Sequence, residues 1–163
     1  MEIQEVIGLF GTCGNSRWRD KFITKYNVLG IPWYNPQVAV GAWKPEMAAQ
    51  ESAHLDSDRI LVVVINNETT ALGSLAETGF CVIQVTKASQ STRYVVIYID
   101  PTVAEGTDTP KAIADSIRAR RLVLAHLRQL RDERVIICQS AEEVKTKSIA
   151  LWHLVQEKRH LST

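Results

Sequence analysis

Two groups of residues in this chain have types and spacings that chemistry could use. The first is Gly73-Ser74-Leu-Ala-Glu77, where a small-residue turn opens a helix and leaves a carboxylate on a rigid element. A carboxylate in such a place can attack a sugar anomeric carbon or stabilise an oxocarbenium ion, as in glycosidic-bond chemistry. The same position suits a carboxylate that does no chemistry, because a helix N-terminus favours an acid by roughly 0.3–1 kcal/mol. The second is Gly8 to Asp20, G-L-F-G-T-C-G-N-S-R-W-R-D, an apolar run that breaks into small and polar residues and restarts as a helix. Gly11, Thr12, Cys13, Gly14, Asn15 and Ser16 would there present amides and hydroxyls to an anion at the carboxyl end of a strand. Arg17 and Arg19 could pair a phosphate through parallel hydrogen bonds.

These residues must be placed by the elements around them. Five short runs rich in branched apolar residues (6–10, 30–34, 60–65, 95–99 and 135–138) read as strands. The run Ile60 to Ile65 is continuously apolar rather than alternating, which suits a strand covered on both faces. Helical segments begin near Ser16, Pro45, Leu72, Pro110 and Ala141. Thr109 before Pro110 is an N-cap with proline at the first helical position, and Ser140 with Glu143 is a capping box. Ile113, Ile117, Leu124 and Leu127 fall on one face of the fourth helix; Val144, Leu151 and Val155 do so on the fifth. Strict alternation of strand and helix predicts a Rossmann-like or flavodoxin-like α/β three-layer sandwich. Its five-stranded parallel sheet is expected in the order 2-1-3-4-5, with a crevice between strands 1 and 3. Three segments should meet there: Gly11 to Asp20, Tyr34 to Trp43, and Asn66 to Glu77. From the second, Asn35 offers a polar side chain and Trp43 a ring to stack on a base, while Trp18 and Trp33 read as core. Trp152 reads as the residue that docks the last helix.

With 163 residues and 45% apolar content, residues 1–163 fit a single domain that buries a core without metals or disulfides. A net charge of +1 leaves no long-range attraction to nucleic acid or an anionic membrane. Cys13, Cys81 and Cys138 form neither a disulfide framework nor a metal pair, and the four histidines lie far apart, so no metal or cofactor is expected. The cytoplasm is the expected compartment, since neither an export signal nor a membrane-length apolar run is present. Arg118, Arg120, Arg121, Arg128 and Arg131 on the fourth helix read as a solvated face or a subunit contact.

Thr12 to Ile23 (T-C-G-N-S-R-W-R-D-K-F-I), Trp33 to Val38 (W-Y-N-P-Q-V), Trp43 and Asp58 to Glu77 (D-R-I-L-V-V-V-I through G-S-L-A-E) occur in order over the first half of the chain. In this they resemble the nucleoside 2-deoxyribosyltransferase-like family, with a weaker echo at Ser116 to Leu127. The resemblance implies a Rossmann-like fold, cleavage of the N-glycosidic bond between base and sugar, and a homo-oligomer whose neighbours complete the pocket. It places the glutamate nucleophile on Glu77, the sugar-contacting or phosphate-contacting loop on Gly11 to Arg19, and the acid that orients the base near Gln50 and Glu51, so that Glu51 is the candidate. The aspartate usual a few residues before the nucleophile is missing: Thr69, Thr70 and Ala71 fill that stretch, with Glu68 the nearest acid. Ile117 stands where a neighbour's asparagine would be sought.

The expected substrate is therefore a small nucleoside or nucleoside monophosphate, with hydrolysis or transfer decided by whether water or a second base intercepts the glycosyl-enzyme. Two other readings stay open. The domain could bind a nucleotide or sugar phosphate without turning it over. Alternatively, Cys13 and Arg19 stand in C-x5-R spacing, and with Asp100-Pro101 they resemble the small cytoplasmic tyrosine phosphatases, although Asp20 replaces the hydroxyl residue that supports the thiolate there.

Overall fold

The computed structural model describes residues 2–39, 41, 42, 44–87 and 92–161. Its elements alternate along the chain as β1 (Gln4–Gly11), α1 (Trp18–Leu29), β2 (Trp33–Tyr34), α2 (Pro45–Ser57), β3 (Asp58–Ile65), α3 (Leu72–Thr86), β4 (Tyr94–Ile99), α4 (Pro110–Gln129), β5 (Val135–Ile137) and α5 (Ala141–His160). The five strands pair in parallel in the order β2-β1-β3-β4-β5, the α/β architecture expected from the alternation. None of the described helices is long and apolar enough to cross a membrane.

The central strand explains its own composition. Ile60, Val62 and Val64 enter a core with Ile7, Leu9, Phe22, Tyr26 and Trp152, under α1 and α5. Leu61, Val63 and Ile65 enter the opposite core with Phe10, Leu75, Val85 and Leu127, under α3 and α4. From Ile60 to Ile65 both faces of β3 are dry, and every residue of that run is apolar.

Helix boundaries follow local chemistry. Thr109 caps α4 by accepting the Ala112 N–H at 3.3 Å, and Ser140 caps α5 by accepting the Glu143 N–H at 3.1 Å. The Glu143 carboxylate returns not to the cap residue but one position further out, to the Gln139 N–H at 2.7 Å. Helix α1 begins at Trp18 rather than near Ser16, because the Ser16 hydroxyl is engaged by the Asn66 side-chain amide at 2.8 Å and caps nothing. Trp33 is another departure: its ring is half out in solvent, its indole N–H donating to Asn27 Oδ1 at 2.8 Å.

On α4 the buried seam runs through Ser116, Arg120, Leu124 and Leu127, while Ile113 and Ile117 are only half-buried. Arg120 is there because the loops leaving β3 and β4 turn carbonyls inward. It donates to Asn66 O at 2.8 Å, Asp100 O at 2.9 Å and Thr69 O at 2.7 Å, and Ser116 Oγ adds a bond to Thr70 O at 2.7 Å. A buried guanidinium is tolerated because its donors meet acceptors that would otherwise lack partners. Arg120→Leu should therefore lower the unfolding free energy by roughly 3 kcal/mol, by orphaning those carbonyls. The adjacent exposed Arg121→Leu should change it by less than about 0.5 kcal/mol. Urea denaturation of the two variants checks the contrast.

Candidate functional site

The loop after β1 is shaped by a second buried arginine. Arg19, with no exposed surface, donates from Nε to Leu9 O at 2.9 Å, from Nη1 to Thr12 O at 2.6 Å and from Nη2 to Gly11 O at 3.2 Å. Trp18 adds its indole N–H to Thr12 O at 3.0 Å, and the Arg19 guanidinium lies 4.4 Å from the Trp18 ring centroid. The loop therefore turns its carbonyls inward onto α1. Gly11 adopts φ 118°, and a Cβ there would lie 2.1 Å from Val64 O, so only glycine fits.

The predicted crevice segments do meet, but several of their side chains are occupied with one another. Thr12 Oγ1 accepts the Asn66 N–H at 3.1 Å, and Ser16 Oγ accepts from Asn66 Nδ2. Gln37 Nε2 donates to Gly14 O at 2.8 Å and Ser16 O at 3.0 Å, and Asn35 Oδ1 accepts the Gln37 N–H at 2.9 Å. Thr12 and Ser16, both buried, thus hold the crevice together, as does the Asn35 side-chain oxygen. Arg19 is likewise corrected from a phosphate partner to a structural clamp, and exposed Arg17 is paired with Asp20 at 2.7 Å. Gly14 and Asn15 are exposed at the loop tip, and Trp43 lies outside the described residues.

Helix α3 begins at Leu72 and takes Gly73 and Ser74 into its first turn, so Glu77 lies in the second turn, beyond the reach of the helix N-terminus that the sequence argument invoked. Strand β2 is two residues long and pairs only with Ile7 and Gly8, so the sheet offers no partner on that side to the Gly11 N–H. That N–H instead lies near the Glu77 carboxylate and favours its charged form. Half-buried, Glu77 lines a cleft of about 480 Å³ between α2 and α3 with Gly73, Leu55, Ser52 and Phe80, a volume suited to a small molecule. Ser74 is half-buried, and its carbonyl accepts the Thr78 hydroxyl at 2.8 Å.

Burial pushes the Glu77 carboxyl up to about 7, the charge of Glu51 adds to this, and Arg19 and the Gly11 N–H oppose it. Burial raises Glu51 as well, with Arg19 again opposing. Two carboxylates within each other's field, in a partly dry cleft, do not both ionise readily near neutral pH. The Cys13 thiol feels the same group: burial raises it, Arg19 lowers it, and Glu77 and Glu51 raise it further. Its Sγ–H donates to Gly11 O at 3.2 Å. Arg19 Nη2 also reaches the Cys13 sulfur at 3.7 Å, yet the thiol stays raised, the reverse of the depressed pKa that a nucleophilic cysteine uses.

Three residues of this neighbourhood had no functional signal in the sequence. Asp58, fully buried, accepts from or donates to His54 Nδ1 through Oδ1 at 2.8 Å, and its Oδ2 has no hydrogen-bond partner among the described residues. Burial pushes Asp58 up to about 6, with His54 opposing. The His54 ring stacks on Tyr34 at 3.5 Å between centroids and 6° between planes. Tyr34 is thereby fixed within the field of the carboxylates; burial first, then Glu51, Asp58 and Glu77, push its hydroxyl up to about 12. Their sequence separation, β2 to the last turns of α2, hides the trio. Phe80, 61% exposed and three residues after Glu77 on α3, puts an aromatic ring at the same cleft.

Comparison of the chain with models of known protein families and with curated proteins gave no match.

The raised carboxyls carry a stability signature. Glu77 and Asp58 hold protons in the folded state at pH values where the unfolded chain has lost them, so stability falls as pH rises from about 4 to 7. Glu77→Gln should remove the larger part of that slope. It should stabilise the protein at pH 8 by up to about 3 kcal/mol and leave it nearly unchanged at pH 4, as read by urea midpoints at the two pH values. Asp132, held down to about 2 by Arg134, acts below this window.

Proposed function

We propose that this protein cleaves, or transfers at, the N-glycosidic bond of a nucleoside, with Glu77 as nucleophile. The observation that carries the reading is Glu77 itself: a carboxylate on a helix, favoured in its charged form by the Gly11 amide, opening into a cleft and lying within the field of a second glutamate, Glu51. Burial and the charge of Glu51 leave the pair's proton mainly on Glu77; the reactive form is the one in which Glu51 holds it and Glu77 is ionised, the charge on Glu77 being favoured by the Gly11 N–H and Arg19. Glu77 attacks C1′ as the bond to the base breaks. The bond's electrons leave with the base, which takes its proton from Glu51. Water or a second base then attacks C1′, the ester to Glu77 breaks, and the anomeric configuration is retained. Glu51 thus takes the part of the acid missing from the Thr69 to Ala71 stretch.

Phe80 supplies a ring face for the base. The commitment of Arg19 to backbone carbonyls and of Arg17 to Asp20 supports a substrate without a phosphate. It weighs equally against phosphate-ester chemistry at Cys13.

Purified protein incubated with a panel of ribonucleosides and 2′-deoxynucleosides, with and without a second free base, should release or exchange a base by chromatography. Glu77→Ala should lower that rate at least about 1,000-fold and Glu51→Gln about 100-fold or more. Cys13→Ser should leave it within a few-fold. Equal rates for wild type and Glu77→Ala would discard the reading.

A further inference from the structure

The arginines of this chain sort by what they hold. Arg17, Arg59, Arg118 and Arg134 each meet a carboxylate. Arg19, Arg93 and Arg120 lie buried on backbone carbonyls. Arg121 and Arg128 do neither: no hydrogen bond or ion pair reaches them among the described residues, and both line one cleft of about 400 Å³ at the carboxyl ends of β4 and β5.

Their spacing is informative. Seven residues apart on α4, they project from one face two turns apart, about 10 Å along the axis. Leu124 lies between them, and Ile99, Pro101 and Ile137 continue an apolar lining. The neighbouring acids are already supplied with donors. Asp100 accepts the Thr102 N–H at 2.9 Å, the Thr102 hydroxyl at 2.7 Å and the Tyr98 hydroxyl at 3.3 Å, and it lies in the field of Arg120. Glu143 accepts the Gln139 N–H. Anionic partners are thus already answered here while two cations are not. An anion entering this cleft gains both guanidiniums without displacing an existing ion pair.

We propose that this cleft is a second ligand site, for a small organic molecule with an oxyanion at each end and an apolar middle. One end pairs with Arg121 and the other with Arg128, each guanidinium donating two N–H groups to one oxyanion, and the middle lies over Leu124. The site is separate from the Glu77 cleft, which lies between α2 and α3, and does not depend on the reaction assigned to it.

Calorimetric titration of the full chain with 1,6-hexanediol bisphosphate, and separately with inorganic phosphate and with 1,6-hexanediol, tests this. The bisphosphate should bind saturably and at least about 10-fold more tightly than inorganic phosphate, and the diol should not bind. Arg121→Gln and Arg128→Gln, both at exposed positions, should each weaken the bisphosphate about 10-fold or more, with unchanged melting temperatures. A bisphosphate no tighter than inorganic phosphate, or one that binds the Arg121→Gln/Arg128→Gln double variant like wild type, would overturn the proposal.

Discussion

A guanidinium sealed from solvent at the head of α1 sets the terms for the rest of this molecule. Arg19 gathers the carbonyls of Leu9, Gly11 and Thr12, and in doing so fixes the path of the chain where it leaves β1. With the carbonyls drawn inward, the Gly11 N–H is left facing away from β3, beyond the end of β2, where the Glu77 carboxylate meets it. Burial of that cation is costly and lowers its pKa; the opposing influences are the Cys13 sulfur and the charges of Glu77 and Glu51. Clamp and carboxylates therefore support each other: the arginine shapes the pocket, and the pocket's acids offset the arginine's desolvation.

Arg120 repeats the device one crossover later, tying the β3 and β4 exits to α4. It also braces the turn that launches α3, where Ala71 sits at φ 51°, a left-handed conformation that costs a non-glycine residue on the order of 1 kcal/mol. The orientation of Glu77 thus rests on a short, strained turn whose preceding carbonyls, Thr69 and Thr70, are bonded from α4. A carboxylate placed by rigid backbone rather than by its own ion pair keeps a raised affinity for protons, the property that acid–base chemistry near neutral pH uses.

Much of the architecture was legible because it rests on patterns local in sequence. The unbroken apolar run of β3, the Thr109-Pro110 start of α4 and the Ser140 cap of α5 each have one physical meaning and recur in the structure as read. Glu77 was legible as a carboxylate on the third helix, but its neighbours were not, and Gly73 and Ser74, read as a turn, belong to the helix itself. Arg19 and Arg120 misled for a common reason: composition treats arginine as a surface or ligand-binding charge, and only tertiary structure reveals the inward carbonyls that each one serves. Thr12 and Ser16 looked like ligand contacts because the need of Asn66 for partners, some fifty residues away, has no sequence signature. The Tyr34, His54 and Asp58 stack was hidden in the same way, since it joins the end of β2 to the α2–β3 junction.

The account turns on the protonation of one side chain, which carbon-13 NMR of the protein labelled at glutamate carboxyls, with Glu77 assigned by Glu77→Gln, reads directly. Glu77 should titrate near 7 in the folded wild type and at a lower pH in Glu51→Gln, where its charged neighbour is gone. A Glu77 that titrates at the ordinary glutamate value of about 4.3, with or without Glu51, would contradict the burial and the coupling to Glu51 on which the proposed chemistry depends.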